Sequence, residues 1–158
     1  MEIKRSIEIK AAPEEIWPFL VESEKIVKWC FTLQSFEYTS QISHGINASF
    51  KYREQGRFRS VQLNCIVTEW IENEKITFEM TSGKAFKGYK ETWMIEPISG
   101  ESKFSLIQQS HLSFGILGKI MEPISRRRAE ITIDEMLAKL KRFVEEDRSE
   151  RSISDVGV

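Results

Sequence analysis

Apolar and polar residues alternate along most of this chain, and the period of the alternation changes twice. Ile3, Ile7 and Ile9 fall on one face of a strand over about residues 2–10, with Arg5 breaking the apolar side. The stretch Ala11-Ala12-Pro13-Glu14-Glu15-Ile16-Trp17 predicts a short helix starting at Pro13. Proline suits a first helical turn, where its missing N–H has no partner to lose, and acidic residues there meet the positive end of the helix dipole. Pro18 predicts a kink or an early end. Residues 23–29 predict a second short helix with Ser23 as its cap.

From residue 33 to 112 the period is two. Phe36 and Tyr38 share a face, then Ala48, Phe50 and Tyr52, then Val61, Leu63, Cys65 and Val67. Ile76, Phe78 and Met80 follow, then Tyr89, Glu91, Trp93 and Ile95, then Phe104, Leu106, Gln108, Ser110 and Leu112. Short polar turns such as His44-Gly45 and Glu72-Asn73-Glu74 separate them, so the segment predicts six consecutive strands in an antiparallel meander. After Gly115 the spacing becomes three, four and seven. Ile120, Ile124, Ile131, Leu137, Leu140 and Val144 then predict an amphipathic helix over about residues 115–146, interrupted or restarted at Pro123. Residues 147–158 are polar without a period and predict a frayed, disordered tail, leaving residues 1–146 as a single domain.

That order gives an α+β fold: a seven-stranded curved antiparallel sheet wrapped on a long C-terminal helix, with two short helices after the first strand. A sheet with one apolar face must bury it, and only the last helix is long enough to cover it. Twist curls the sheet around the rod, and a curled sheet and a rod leave a gap between them.

Composition narrows the function. The 158 residues carry 23 basic and 24 acidic side chains, a formal net charge of −1, which argues against a nucleic-acid partner. Nothing approaches the ~20 apolar residues of a membrane span, and no apolar run follows the first five residues as a secretory signal requires. A cytoplasmic protein with no integral membrane segment is expected. Cys30 and Cys65 form no CxxC pair and read as reduced thiols. His44 and His111 stand alone, outside any metal-binding spacing, so neither a metal nor another cofactor is expected. No nucleophile-elbow, P-loop or Rossmann glycine pattern is present.

Three stretches resemble one known group of proteins. Residues Arg5 to Trp17 are similar to its opening strand and its Ala-x-Pro-Glu helix start. Thr92-Trp93-Met94-Ile95-Glu96-Pro97 resembles its penultimate strand, ending in Glu-Pro. Met136-Leu137-Ala138-Lys139-Leu140-Lys141-Arg142 is similar to the Leu-x-x-Leu-Lys pattern of its final helix. The group is the SRPBCC, or START-like helix-grip, superfamily, which includes polyketide cyclase/dehydrase-like proteins. The resemblance implies the fold above and a range of functions: lipid carriage, aromatase/cyclase chemistry, or interaction without a ligand, as in chaperone co-activators. Ala12 stands where the group often has a capping Ser or Asp.

The expected partner is a small hydrophobic or amphipathic ligand such as a lipid, isoprenoid or polyketide-like molecule. Trp29, Phe36, Phe50, Tyr52, Leu63, Phe78, Tyr89, Trp93 and Leu106 would form the walls of its cavity. Ile120, Ile124 and Arg128 would line the helix side, and Glu91 and Gln108 would supply polarity. Glu91 is the exception that matters, because a carboxylate on an apolar face is costly unless paired or wet. Three readings are open: a structural pair with Arg5 or Arg128, a strand slipped by one residue, or a group that orients a ligand. As the only candidate catalytic residue, Glu91 could act as a general acid or base if burial raises its pKa.

Overall fold

The structure is a computed structural model in which residues 1–56, 60–112 and 115–157 are described, without the side chains of 112 and 115–121. The chain opens with strand β1 (Glu2–Ile9), followed by α1 (Pro13–Ile16), α2 (Pro18–Val21) and α3 (Ser23–Trp29). Strands β2 (Leu33–Tyr38), β3 (Ser49–Gln55), β4 (Ser60–Ile71), β5 (Lys75–Gly83), β6 (Phe86–Ile98) and β7 (Glu101–Leu112) then lead into helix α4 (Gly115–Val156). The seven strands form one sheet in the order β1-β7-β6-β5-β4-β3-β2, antiparallel at every junction. The first strand therefore closes against the last. This is the curled sheet and long C-terminal helix of the helix-grip fold.

Local chemistry explains the departures from the simple pattern. The first short helix is split in two at Trp17, because Pro18 has no N–H to continue it and instead opens α2. Ala12 cannot cap with its side chain, but the Glu15 carboxylate reaches back and accepts from the Ala12 N–H at 2.7 Å. Glu22, in extended conformation, holds the cap position of α3, and Ser23 is already its first helical residue.

Strand phase follows the alternation. Phe50 and Tyr52, Leu63, Cys65 and Val67, Trp93 and Ile95, and Phe104 and Leu106 are all buried on one face. The β4–β5 register shifts twice, with Thr81 the extra residue in β5 and Thr68 the extra residue in β4 beyond Val67, so Leu63, Cys65 and Val67 keep their alternation and all stay buried. Cys65 pairs with Phe50 of β3 and Val67 with Phe78 of β5. These small β4 side chains let Phe50 and Phe78 meet above them, ring centroids 5.1 Å apart and edge to face. Phe78 continues to Trp93 at 5.3 Å, and Trp93 to Trp29 of α3 at 5.3 Å.

Helix α4 packs against β1, α3 and α1. Among its described residues, Ile133, Leu137, Leu140 and Val144 are buried, at helical spacing. Arg5, the polar break in β1, reaches across to α4: its guanidinium lies 3.2 Å from Glu130 and 3.1 Å from Asp134. The helix does not stop near 146 but continues through Val156. Its last turns are held by i,i+4 pairs such as Arg151–Asp147 at 2.8 Å and by the Arg148 guanidinium, which donates to the Lys10 carbonyl at 2.6 Å. Among the described residues no helix is long and apolar enough to cross a membrane.

Candidate functional site

Between the sheet, α3 and the first half of α4 lies a cavity of about 350 Å³. Its sheet wall is aromatic: Phe36, Phe50, Tyr52, Phe78, Tyr89 and Trp93. Leu106 and Gln108 of β7 and Glu91 of β6 complete that side. All of these are residues that the alternation places on the inner face. The remaining wall residues of the sequence reading sit elsewhere. Trp29 and Leu63 are fully buried but do not line the space. Trp29 is consumed by packing on Trp93 and Phe104, and its indole N–H donates to the Phe19 carbonyl at 2.8 Å. Leu63 is wedged against Gly83, where even a methyl group would overlap its Cδ2.

The helix side differs more. Ile124 is 54% exposed and Arg128 is exposed, so neither reaches the cavity, while the side chain of Ile120 lies outside the described residues. The cavity is faced instead by Ser125, Ala129, Thr132, Ile133 and Met136, a stripe one residue out of phase with the expected one. One residue is about 100° of rotation on an α-helix, enough to turn a side chain from cavity to solvent.

Two carboxylates face the space. Glu91 is 7% exposed, and its two oxygens accept from the Tyr89 hydroxyl and the Trp93 indole N–H, each two residues away on the same strand face. Neither Arg5 nor Arg128 pairs with it: Arg5 is engaged with Glu130 and Asp134, and Arg128 is exposed. Burial pushes the Glu91 carboxyl up to about 7, against the pull of the two donors, and the nearby Glu54 charge adds to the rise. Glu54 is the carboxylate that the sequence reading missed. It is the next inward position after Phe50 and Tyr52 on β3, and one more step of the alternation finds it. Burial raises its pKa too, opposed by the Thr32 hydroxyl.

Burial also disfavours ionisation of the tyrosine and cysteine side chains at the wall. Burial raises Tyr52, Tyr89 and Cys30 well above their ordinary values. Cys65, outside the cavity, is pushed up to about 12, mainly by burial. Both thiols are therefore poor nucleophiles. Ellman's reagent at pH 8 is expected to modify either cysteine at least about a hundredfold more slowly in the native protein than in urea. Fast native labelling would show an exposed, reactive thiol. His44 and His111 are exposed and lie outside the cavity wall, and no group of three or more metal-ligating side chains occurs among the described residues.

The profile of the family described as "Polyketide cyclase / dehydrase and lipid transport" matches residues 1–145. The chain belongs to this family. No curated protein matches it in sequence. Members of the wider fold are recognised by structure. A protein from Thermus thermophilus superposes with a TM-score of 0.80 at 18% identity, over 93% of this chain and 99% of its own. A START superfamily protein from Mycobacterium smegmatis gives 0.77 at 15% identity, over 92% and 97%. The Zhui aromatase/cyclase from Streptomyces sp. R1128 gives 0.76 at 8% identity, over 92% and 93%. At these identities the likeness establishes a shared fold. The work done by this member of the polyketide cyclase/dehydrase and lipid transport family has to be argued from its own cavity.

Proposed function

We propose that this chain binds a small hydrophobic or amphipathic molecule in the cavity between its sheet and α4. The observation that carries the reading is the cavity itself: about 350 Å³, walled by aromatic rings, with a few polar groups at fixed places. Ligand sites have this make-up, whereas a module that works only through its surface gains nothing from an unfilled interior. Native mass spectrometry of the purified protein, with organic extraction, tests it by looking for a copurified molecule. A variant closes the argument. Ala129 faces the cavity from α4, so Ala129→Phe would place a ring in the empty space. Binding of an apolar fluorescent reporter is expected to fall by more than about tenfold while thermal stability holds or rises, because the ring fills space rather than displacing packed atoms. Unchanged binding would place the reporter elsewhere.

A second reading, a cyclase/dehydrase-type enzyme, is favoured by one specific arrangement: the Glu91 carboxyl hydrogen-bonded to the Tyr89 hydroxyl in the cavity wall. A carboxyl that titrates near neutral pH can take and return a proton there. On this reading, a copurified ligand is chemically changed on incubation with the wild type and not with Glu91→Gln. A ligand that both proteins bind and leave intact would favour carriage.

A further inference from the structure

The cavity is lined by two acidic side chains, Glu54 and Glu91. Among the described residues, no Lys, Arg or His lines it. Several carboxylates on the sheet outside the cavity are paired with lysines: Glu79 with Lys90 at 3.0 Å, Glu69 with Lys75 at 2.9 Å, Glu37 with Lys51 at 3.0 Å. Glu54 and Glu91 have no such cationic partner among the described residues, although Glu91 is more than nine-tenths buried. The donors that Glu91 does have, Tyr89 and Trp93, are neutral. Gln108, opposite Glu91 across the β6–β7 register, also faces the space. A buried carboxylate with no counter-charge is expensive, and the usual remedies are a paired cation or an apolar replacement. Here the missing counter-charge has a space waiting for it, bounded by the rings of Phe36, Phe50 and Trp93.

We propose that the cavity selects ligands whose polar end is a protonated amine, seated between the Glu54 and Glu91 carboxylates with its apolar body along the aromatic wall. This names the ligand class for the binding function proposed above and rests on it. An ammonium donates up to three hydrogen bonds and accepts none, matching carboxylates that can only accept. The surrounding rings favour the same charge through their negative faces. A carboxylate ligand would meet like charge, and an alcohol would leave one carboxylate uncompensated.

The groups facing Glu91 set the pH dependence. Tyr52 and Glu54 come from β3, Tyr89 from β6 and Cys30 from the end of α3, while α4 presents Ser125 and Thr132. Met1 also lines the wall, with its α-amino group 2.8 Å from the Ser110 carbonyl and 3.9 Å from Glu122. The tyrosines and Cys30 stay neutral through pH 8, so among the side chains at the wall the two carboxyls are left to titrate. An alkylammonium keeps its proton over this range, so its affinity should rise from pH 6 to pH 8 as Glu91 ionises.

The test uses N-phenyl-1-naphthylamine as an uncharged fluorescent reporter. It is displaced by tryptamine, tryptophol and indole-3-propionate, which share a ring and differ in charge. At pH 8 tryptamine is expected to displace the reporter at about tenfold lower concentration than tryptophol, or less, with indole-3-propionate weakest. The advantage should shrink at pH 6 and vanish in the Glu54→Gln/Glu91→Gln double variant. Tryptophol or indole-3-propionate displacing as well as tryptamine from the wild type at pH 8 overturns the amine assignment and leaves the binding reading intact. So does a bound reporter that none of the three displaces. Failure of the reporter itself to bind removes the binding reading, and the amine assignment with it.

Discussion

Trp29→Ala is expected to destabilise the protein by about 4 kcal/mol. Trp29 is fully buried on α3, the helix that packs against α2, α4 and β2. Its ring packs edge to face on Trp93, 5.3 Å away, and on Phe104, 6.0 Å away. Its N–H satisfies the Phe19 carbonyl in α2. Alanine would therefore leave a large void beside a preformed cavity and a carbonyl without its donor. For a domain of this size the loss corresponds to a fall of roughly 10 °C in Tm. Trp29→Phe separates the contributions, since it keeps most of the ring packing and loses the hydrogen bond, and should cost about 1–2 kcal/mol. Urea denaturation followed by far-UV circular dichroism measures both. A loss below about 1.5 kcal/mol for alanine, against the 3–5 kcal/mol typical of a buried Trp→Ala change, would mean that α3 is not the keystone between sheet and helix.

The strand half of the cavity was legible in the sequence because burial on one face of a strand writes a period of two. Phe50 and Tyr52, or Glu91 and Trp93, could be placed inward without coordinates, and the structure puts them there. The helix half was not legible, and the reason is physical. A hydrophobic pattern reports what is buried against other protein. The cavity-facing stripe of α4 looks onto open space and is built of small and hydroxylated residues, Ser125, Ala129 and Thr132, beside Ile133 and Met136. The more conspicuous apolar residues there, Ile124 and Ile131, are both more than half exposed and pointed the periodicity the wrong way. Trp29 and Leu63 illustrate a second limit. Both are inward, but periodicity cannot distinguish a side chain that bounds a void from one packed solidly behind it. The last turns of α4 were hidden for a third reason. A helix that projects from the core carries no apolar stripe and is held by charge pairs at four-residue spacing, which resemble a polar tail until they are counted.

Glu91 should make the protein less stable as the pH rises through neutrality, and Glu91→Gln should abolish that trend. The carboxyl is held up to about 7 in the folded protein, above its ordinary value of 4.5, chiefly by burial. Between those two values the folded state binds more protons at this site than the unfolded state, so raising the pH favours unfolding. The stability linked to the neutral carboxyl is fully present below about pH 4.5, declines through the interval, and is gone above about pH 7. The difference amounts to about 3 kcal/mol across the window. Glutamine has nearly the same shape and no charge to desolvate. Its carbonyl can accept from the Trp93 indole, and its amide N–H₂ can donate to the Tyr89 hydroxyl, which turns from donor to acceptor. The variant should therefore match the wild type at pH 5 and exceed its stability by about 2 kcal/mol at pH 8. Chemical denaturation of both proteins at several pH values between 5 and 8 measures this. Parallel stability curves would show that Glu91 is paired or wetted in solution, and would remove the uncompensated charge on which the amine assignment depends. A wild-type curve that falls toward alkaline pH, and flattens when tryptamine is added, would place the missing counter-charge in the ligand.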